Sequence, residues 1–199
     1  MSAPTPVAAT VAGRETPVPP PATLLLGLGN TLFGDEGLGI RALERLLERH
    51  RLPPGVAALD GGVLGLELLA HVEGATHLLV IDAVQTGRAP GALIRLEGGD
   101  IQAALTLKLS MHQVGFQEVL AMSALRGTTP PRLVVWGIEP VTLETGLDLS
   151  AAVAARLDDL VEAVVGELQQ WGVTLAPQRA DAGAGDRDFP SHPADSARE

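Results

Sequence analysis

A small set of acids and one histidine sit where the chain could gather them for chemistry. Asp35 and Glu36 are adjacent in Gly34-Asp35-Glu36-Gly37, just ahead of an amphipathic segment. Asp60 follows the apolar run Val56–Leu59, Asp82 follows His77–Ile81, and His112 opens a later helical segment. Glu36, Asp82 and His112 together offer two carboxylates and an imidazole with no cationic partner. That donor set suits a hard-to-borderline divalent metal, whether zinc, nickel, manganese or iron. Each residue also has a local explanation. Asp35 is the expected helix N-cap, which leaves Glu36 without a capping role and makes Asp35→Asn a mild change. Asp60, before Gly61-Gly62, reads as a turn aspartate, Asp82 as a strand-end polar residue, and His112 as a water-facing helix residue. Only their convergence lifts Glu36, Asp82 and His112 above these separate readings.

Convergence requires elements that bring them to one edge. Leu24–Leu26, Val56–Leu59, His77–Ile81 and Arg132–Ile138 are short apolar runs bounded by glycine, proline or an acid, the pattern of buried strands. Ala92–Leu96 alternates weakly and reads as an antiparallel or edge strand. Between these lie helical stretches: Ile40 to Leu47 before Pro53-Pro54, Leu64 to Val72, Ser110 to Leu125, and a long segment after Ser150. In that last segment Val153, Leu157, Leu160, Val161, Val164, Leu168 and Trp171 share one face, with Ser150 as the expected cap. Strands alternating with helices give an α/β fold of three layers, a mostly parallel five-stranded twisted sheet with helices on both faces. The carboxyl ends of parallel strands share one edge, the usual place for ligands. A dinucleotide site is disfavoured, because Leu32 stands at the third glycine position and the two acids would repel a pyrophosphate.

The formal charge of −10 argues against nucleic acid or an anionic membrane as partner. The chain has no cysteine, which removes thiolate nucleophiles, disulfides and Cys-ligated metal centres. Its serines show no nucleophile-elbow pattern, and no H-E-x-x-H helix is present. No apolar run reaches the ~20 residues that span a bilayer. A cytoplasmic monomer is expected. Residues 1–22 and 177–199 are rich in proline, alanine and polar residues without periodicity, so disordered ends are expected around one domain at 23–176.

The blocks GLGNTLFGDEGLGIRALERL, LDGGVLGLELL, HLLVIDAV, SMHQVGFQEVLA and VVWGIEP, in this order, resemble the nickel–iron hydrogenase maturation proteases. They cover nearly all of 23–171. The resemblance implies an endopeptidase that removes a C-terminal extension from the nickel-loaded precursor of a hydrogenase large subunit. It also implies that Glu36, Asp82 and His112 contact nickel, with Asp60 as a possible auxiliary. Val63 stands where the family has a threonine, so a hydroxyl hydrogen bond is missing there. On this reading nickel arrives with the precursor, and no tightly bound resident metal is expected. Two other functions fit the residues: a resident-metal hydrolase of the same fold, and a non-catalytic module that docks a metalloprotein precursor.

Overall fold

The computed structural model describes residues 22–106 and 111–178, and within them not the side chains of 105–106 and 111–114. In chain order the elements are β1 (Thr23–Leu28), α1 (Leu38–Arg49), β2 (His50–Arg51), β3 (Val56–Gly62), α2 (Leu69–Val72), β4 (His77–Ala83), β5 (Leu93–Glu97), α3 (Gly99–Thr106), α4 (Met111–Arg126), β6 (Arg132–Ile138), α5 (Ala151–Ala154), α6 (Leu157–Gln170) and β7 (Ala176–Pro177). Single 3-10 turns, Gly34–Gly37 and Gly65–Leu68, lead toward α1 and α2.

The main sheet has five strands in the order β3-β1-β4-β6-β5. β3, β1, β4 and β6 run parallel, and β5 is the antiparallel edge strand. The side-chain period of two divides the core cleanly. Leu25, Leu79, Ile81 and Val134 face α1 and α6, whereas Leu24, Leu26, Leu28, Leu78, Val80 and Val135 face α2, α3 and α4. Both faces are thus covered, as expected for parallel strands that read as continuous apolar runs.

The closest approach in this packing is between α1 and the sheet. A Cβ on Gly39 would lie 2.1 Å from the Ile81 carbonyl oxygen and 2.3 Å from that of Leu28. Across from it, a Cβ on Gly27 would lie 2.7 Å from the Gly39 oxygen. Only a glycine pair lets α1 start directly against the carboxyl ends of β1 and β4.

Some features depart from expectation. α3 begins at Gly99, in a stretch for which the sequence pattern predicts no helix. The long C-terminal helix is two, α5 and α6, parted at Ala155-Arg156. Nothing in that stretch, which has neither proline nor glycine, accounts for the break. Its buried face nevertheless holds Val153, Leu160, Val161, Val164 and Leu168 as anticipated. The expected disordered ends lie outside the described residues, apart from Ala22, Pro177 and Gln178. Those three are bonded: the Ala22 oxygen accepts from the amides of Thr76 and His77, Pro177 pairs with His50, and the Gln178 amide donates to Arg49. No helix among the described residues is long and apolar enough to cross a membrane.

Glu167 of α6 is almost fully buried against the edge of the sheet. It accepts both arms of the Arg95 guanidinium, at 2.7 and 2.9 Å, and the indole N–H groups of Trp136 and Trp171, at 3.1 and 3.0 Å. The Arg95 pairing holds its carboxyl below the ordinary value; burial opposes this and the indoles add to it. A glutamate lowered in the folded state stabilises it above the ordinary value of 4.5 and loses that contribution as pH falls through the lowered one. We therefore expect an acid limb of decreasing melting temperature below about pH 4.5. Glu167→Gln should flatten that limb and cost about 1–3 kcal/mol at neutral pH, because the charge-assisted bonds to Arg95 are lost while Arg95 keeps its pairing with Glu97. An unchanged acid limb in the variant would remove Glu167 from its cause.

Candidate active site

The carboxyl edge of the sheet is assembled from tight backbone approaches. After β1 the chain turns at Gly29 (φ +126°), where a Cβ would fall 1.8 Å from the Glu36 carbonyl oxygen. The Gly29 amide donates to the Gly62 oxygen at 3.2 Å, so the exits of β1 and β3 are tied together. The next loop doubles back through Gly34 (φ +50°), whose amide donates to Gly146 at 2.7 Å. Gly146 returns a bond to the Leu32 oxygen at 2.9 Å, and Phe33 and Gly146 form a short parallel bridge. Asp35 and Glu36 lie in the 3-10 turn that follows, and this turn rests against β4. Glu36 is half-buried, and its amide donates to the Phe33 oxygen at 3.0 Å.

Asp35 is not a helix cap. Its side chain is fully buried and turned away from α1, whose N-cap, Gly37, makes no side-chain cap bond. Asp35 accepts four hydrogen bonds from the loop beyond β6. The amides of Val141 and Thr142 donate to Oδ2 at 2.9 and 3.3 Å, the Ser150 amide to Oδ1 at 2.7 Å, and the Ser150 hydroxyl to Oδ2 at 2.9 Å. Ser150, expected to cap the last helix through its side chain, spends its hydroxyl here instead. Asp35 is thus a latch between two loops more than a hundred residues apart in sequence.

Asp82 lies at the end of β4 and is buried. Its Oδ1 accepts the Ala83 amide at 2.8 Å. Strand alternation puts it on the α4 side of the sheet, where it and Gln85 are the polar lining residues of a mainly apolar cavity of about 30 Å³ that includes Leu28, Val80, Phe116 and Val135. The loop after it is organised by an acid that sequence reasoning passed over. Buried Glu139, at the end of β6, accepts the Thr86 amide and hydroxyl at 2.7 and 2.9 Å and the amides of Gly87 and Arg88 at 3.2 Å each. Burial raises this carboxyl, but the hydrogen bonds from Thr86, Gly87 and Arg88 outweigh it and hold the group below its ordinary value. Glu139 ends a strand before a proline, the same signal that drew attention to Asp60 and Asp82.

Asp60 is exposed at the β3 exit. Its Oδ1 accepts the Gly62 amide at 2.9 Å, the local turn bond expected of an Asp-Gly-Gly sequence. A β-bulge there pairs Gly27 with Asp60 but Leu28 with Gly62, and a Cβ on Gly61 would lie 2.6 Å from Leu26. His112 falls in the first turn of α4, and its side chain lies outside the described ones. One turn later α4 is fixed against the loop after β3, where a Cβ on Gly115 would lie 2.7 Å from the Gly65 Cα. The exits of β1, β3 and β4 and the start of α4 therefore meet along one edge. Among the described residues no three histidine, aspartate or glutamate side chains form a metal-sized cluster. Of the other histidines, His77 packs on Trp171 with ring centroids 5.2 Å apart, and His71 is exposed.

The family model described as hydrogenase maturation protease matches residues 40–167. The chain is 44% identical over 158 residues to the hydrogenase expression/formation protein HupD of Rhodobacter capsulatus, covering 78% of this chain and 75% of that one. It superposes on the hydrogenase maturating endopeptidase HybD of Escherichia coli with a TM-score of 0.76 and 37% identity, covering 80% of this chain and 99% of the other. It also superposes on the [NiFe] hydrogenase maturation protease HybD of Thermococcus kodakarensis, with a TM-score of 0.59, 28% identity, and 71% and 95% of the two chains covered.

The Asp35 latch makes a prediction opposite to that of a cap. In Asp35→Asn an amide NH₂ must face N–H or O–H donors in a buried site. We expect a loss of about 1–3 kcal/mol, read as a lower midpoint in urea, together with reduced activity as the 141–150 loop loosens. A variant with unchanged midpoint and activity would return Asp35 to a minor role.

Proposed function

The chain belongs to the hydrogenase maturation protease family and is a peptidase, and on that premise we propose that it removes a C-terminal extension from the nickel-loaded precursor of a nickel–iron hydrogenase large subunit. We further propose that Glu36, Asp82 and His112 contact the precursor's nickel. The observation that carries this assignment is the common edge formed by the exits of β1 and β4 and the first turn of α4, the three segments that bear these residues.

The donor chemistry fits. Two carboxylates and an imidazole suit a borderline divalent ion, and without a thiolate they hold a soft ion weakly. Glu36 lies in the 3-10 turn after β1 and Asp82 near the end of β4, so a cation brought to this edge would be drawn by carboxylates from two elements. An ion that arrives with its own ligands in the precursor needs only to be completed by the protease, which makes nickel part of the substrate. Bound there, it would act as a Lewis acid beside the scissile peptide. Hydrolysis adds water across the C–N bond, the oxygen going to the carbonyl carbon and a proton to the departing amine. A carboxylate at the edge is suited to receive the water's proton and pass it on. In this assignment Asp60 is an auxiliary acid, already committed by one oxygen to its own turn.

Glu36→Gln, Asp82→Asn and His112→Ala should each abolish or severely reduce cleavage of nickel-loaded precursor, read as intact mass, with melting temperatures close to the parent. A variant of the three that cleaves at the parental rate would leave the set. Treating the protease alone with a chelator and then dialysing it should leave activity intact, whereas stripping nickel from the precursor should stop cleavage. Recovery only on adding metal back to the protease would make this a resident-metal hydrolase.

A further inference from the structure

Most of the large apolar side chains exposed among the described residues lie on the loops beside Glu36. Leu32, Phe33, Val141 and Leu147 stand on the two loops joined by the Asp35 latch and the Phe33–Gly146 bridge. Val63, Leu64 and Leu66 stand on the loop after β3. Only Leu47, Met122 and Leu125 lie elsewhere, scattered on α1 and α4. Monomeric proteins seldom expose several large apolar groups together without a partner for them.

Glu36 lies between the two groups. Gly29 donates to Gly62 on one side and packs against the Glu36 carbonyl on the other, while the Glu36 amide bonds back to Phe33. A chain that reaches Glu36 therefore has apolar loops on both flanks. The segments 30–34, 61–66 and 140–143 contain no charged residue, in a protein of net charge −10. Leu147 itself lies between exposed Glu144 and Asp148, and exposed Asp60 and Glu67 border the 61–66 segment, so the apolar tips are rimmed by acids. The loops at 30–34 and 141–150 are held in place before any partner arrives by the latch, by the reciprocal Gly34–Gly146–Leu32 bonds and by the Arg41 guanidinium on the Leu147 carbonyl, and the start of 61–66 is tied to β1 by the Gly29–Gly62 bond. A surface fixed in advance loses little freedom on binding.

We propose, on the function assigned above, that these loops form an apolar docking platform for the folded body of the precursor around its cleavage site. The platform consists of loop tips on either side of Glu36, so the body of a precursor whose metal reaches that acid meets apolar side chains on both flanks. A second copy of this chain seated on it would cover Glu36, which disfavours self-association as its purpose.

The test is the triple variant Leu32→Ser, Val63→Ser, Leu147→Ser, whose parent side chains are 57, 58 and 66% exposed. Leu125→Ser, at an 82% exposed position near the far end of α4, is the control. Affinity for nickel-loaded precursor is read by calorimetry and cleavage by steady-state kinetics, with Leu147→Ser alone as a milder companion. We expect the triple variant to lose about tenfold or more in affinity and to raise KM similarly, with kcat within about twofold of the parent. The companion should move part of the way and the control not at all. Unchanged affinity and KM in the triple variant would overturn the platform while leaving the peptidase function standing. So would dissociation of a parent dimer by the substitutions with precursor affinity unchanged. Tight binding by the parent without cleavage, weakened in the triple variant, would keep the platform and overturn the cleavage assignment. A parent that neither binds nor cleaves the precursor would overturn both.

Discussion

A carboxylate buried without a basic partner must be satisfied by neutral donors, and for Asp35 those donors lie on the far side of the sequence. This requirement fixes much of the functional edge. The loop from Val141 to Ser150 must pass over the 3-10 turn to supply the bonds, and in doing so it also closes the Gly34–Gly146 contacts. A 3-10 turn has about three residues per revolution, so a residue next to one pointing inward is rotated by roughly a third of a turn. With Asp35 turned into the protein, Glu36 is left at the partly open edge. The functional direction of the second acid follows from the structural commitment of the first.

The same division recurs at β4. Asp82 is followed by a loop that would wander if nothing held it, and Glu139 supplies the anchor by accepting its amides. Glu167 does comparable work away from the site, tying β5, β6 and α6 together through Arg95 and two indoles. An acidic protein with few aromatic residues thus uses buried acids as its internal fasteners. Each fully satisfied carboxylate rigidifies the backbone around it. The proposed site acids are the neighbours of these fasteners, which is how a site built on loops can still be held to a useful geometry.

What the sequence disclosed follows the range of each interaction. The positions of the five main-sheet strands are local and were legible, whereas β2 and β7, two residues each and paired across the length of the chain, were not. The role of Asp35 was not, because a cap and a latch look identical until a loop 106 to 115 residues downstream is brought over. Glu167 and Arg95 are separated by 72 residues and carried no local sign of pairing. α3 was hidden because Gly98-Gly99 is a strong breaker and the following Asp-Ile-Gln-Ala-Ala-Leu-Thr has only a weak apolar stripe. Glu139 shares the strand-ending acid pattern, but nothing local shows that its carboxylate holds a loop 51 to 53 residues upstream.

Acid edge and apolar flanks solve different parts of one recognition problem in the function proposed here. Apolar contacts to the precursor's surface are the same whether or not its metal is in place, so they contribute affinity but no discrimination. Discrimination must come from a contact that exists only in the loaded state. In that function the edge carboxylates supply such a contact, since a bound metal ion offers them a ligand position that an empty site does not. For a reaction that removes a segment once and cannot be reversed, that difference has to act before the peptide is cut. Placing the acids between the apolar loops accomplishes this, because the surface that binds every precursor presents each one to the group that distinguishes them.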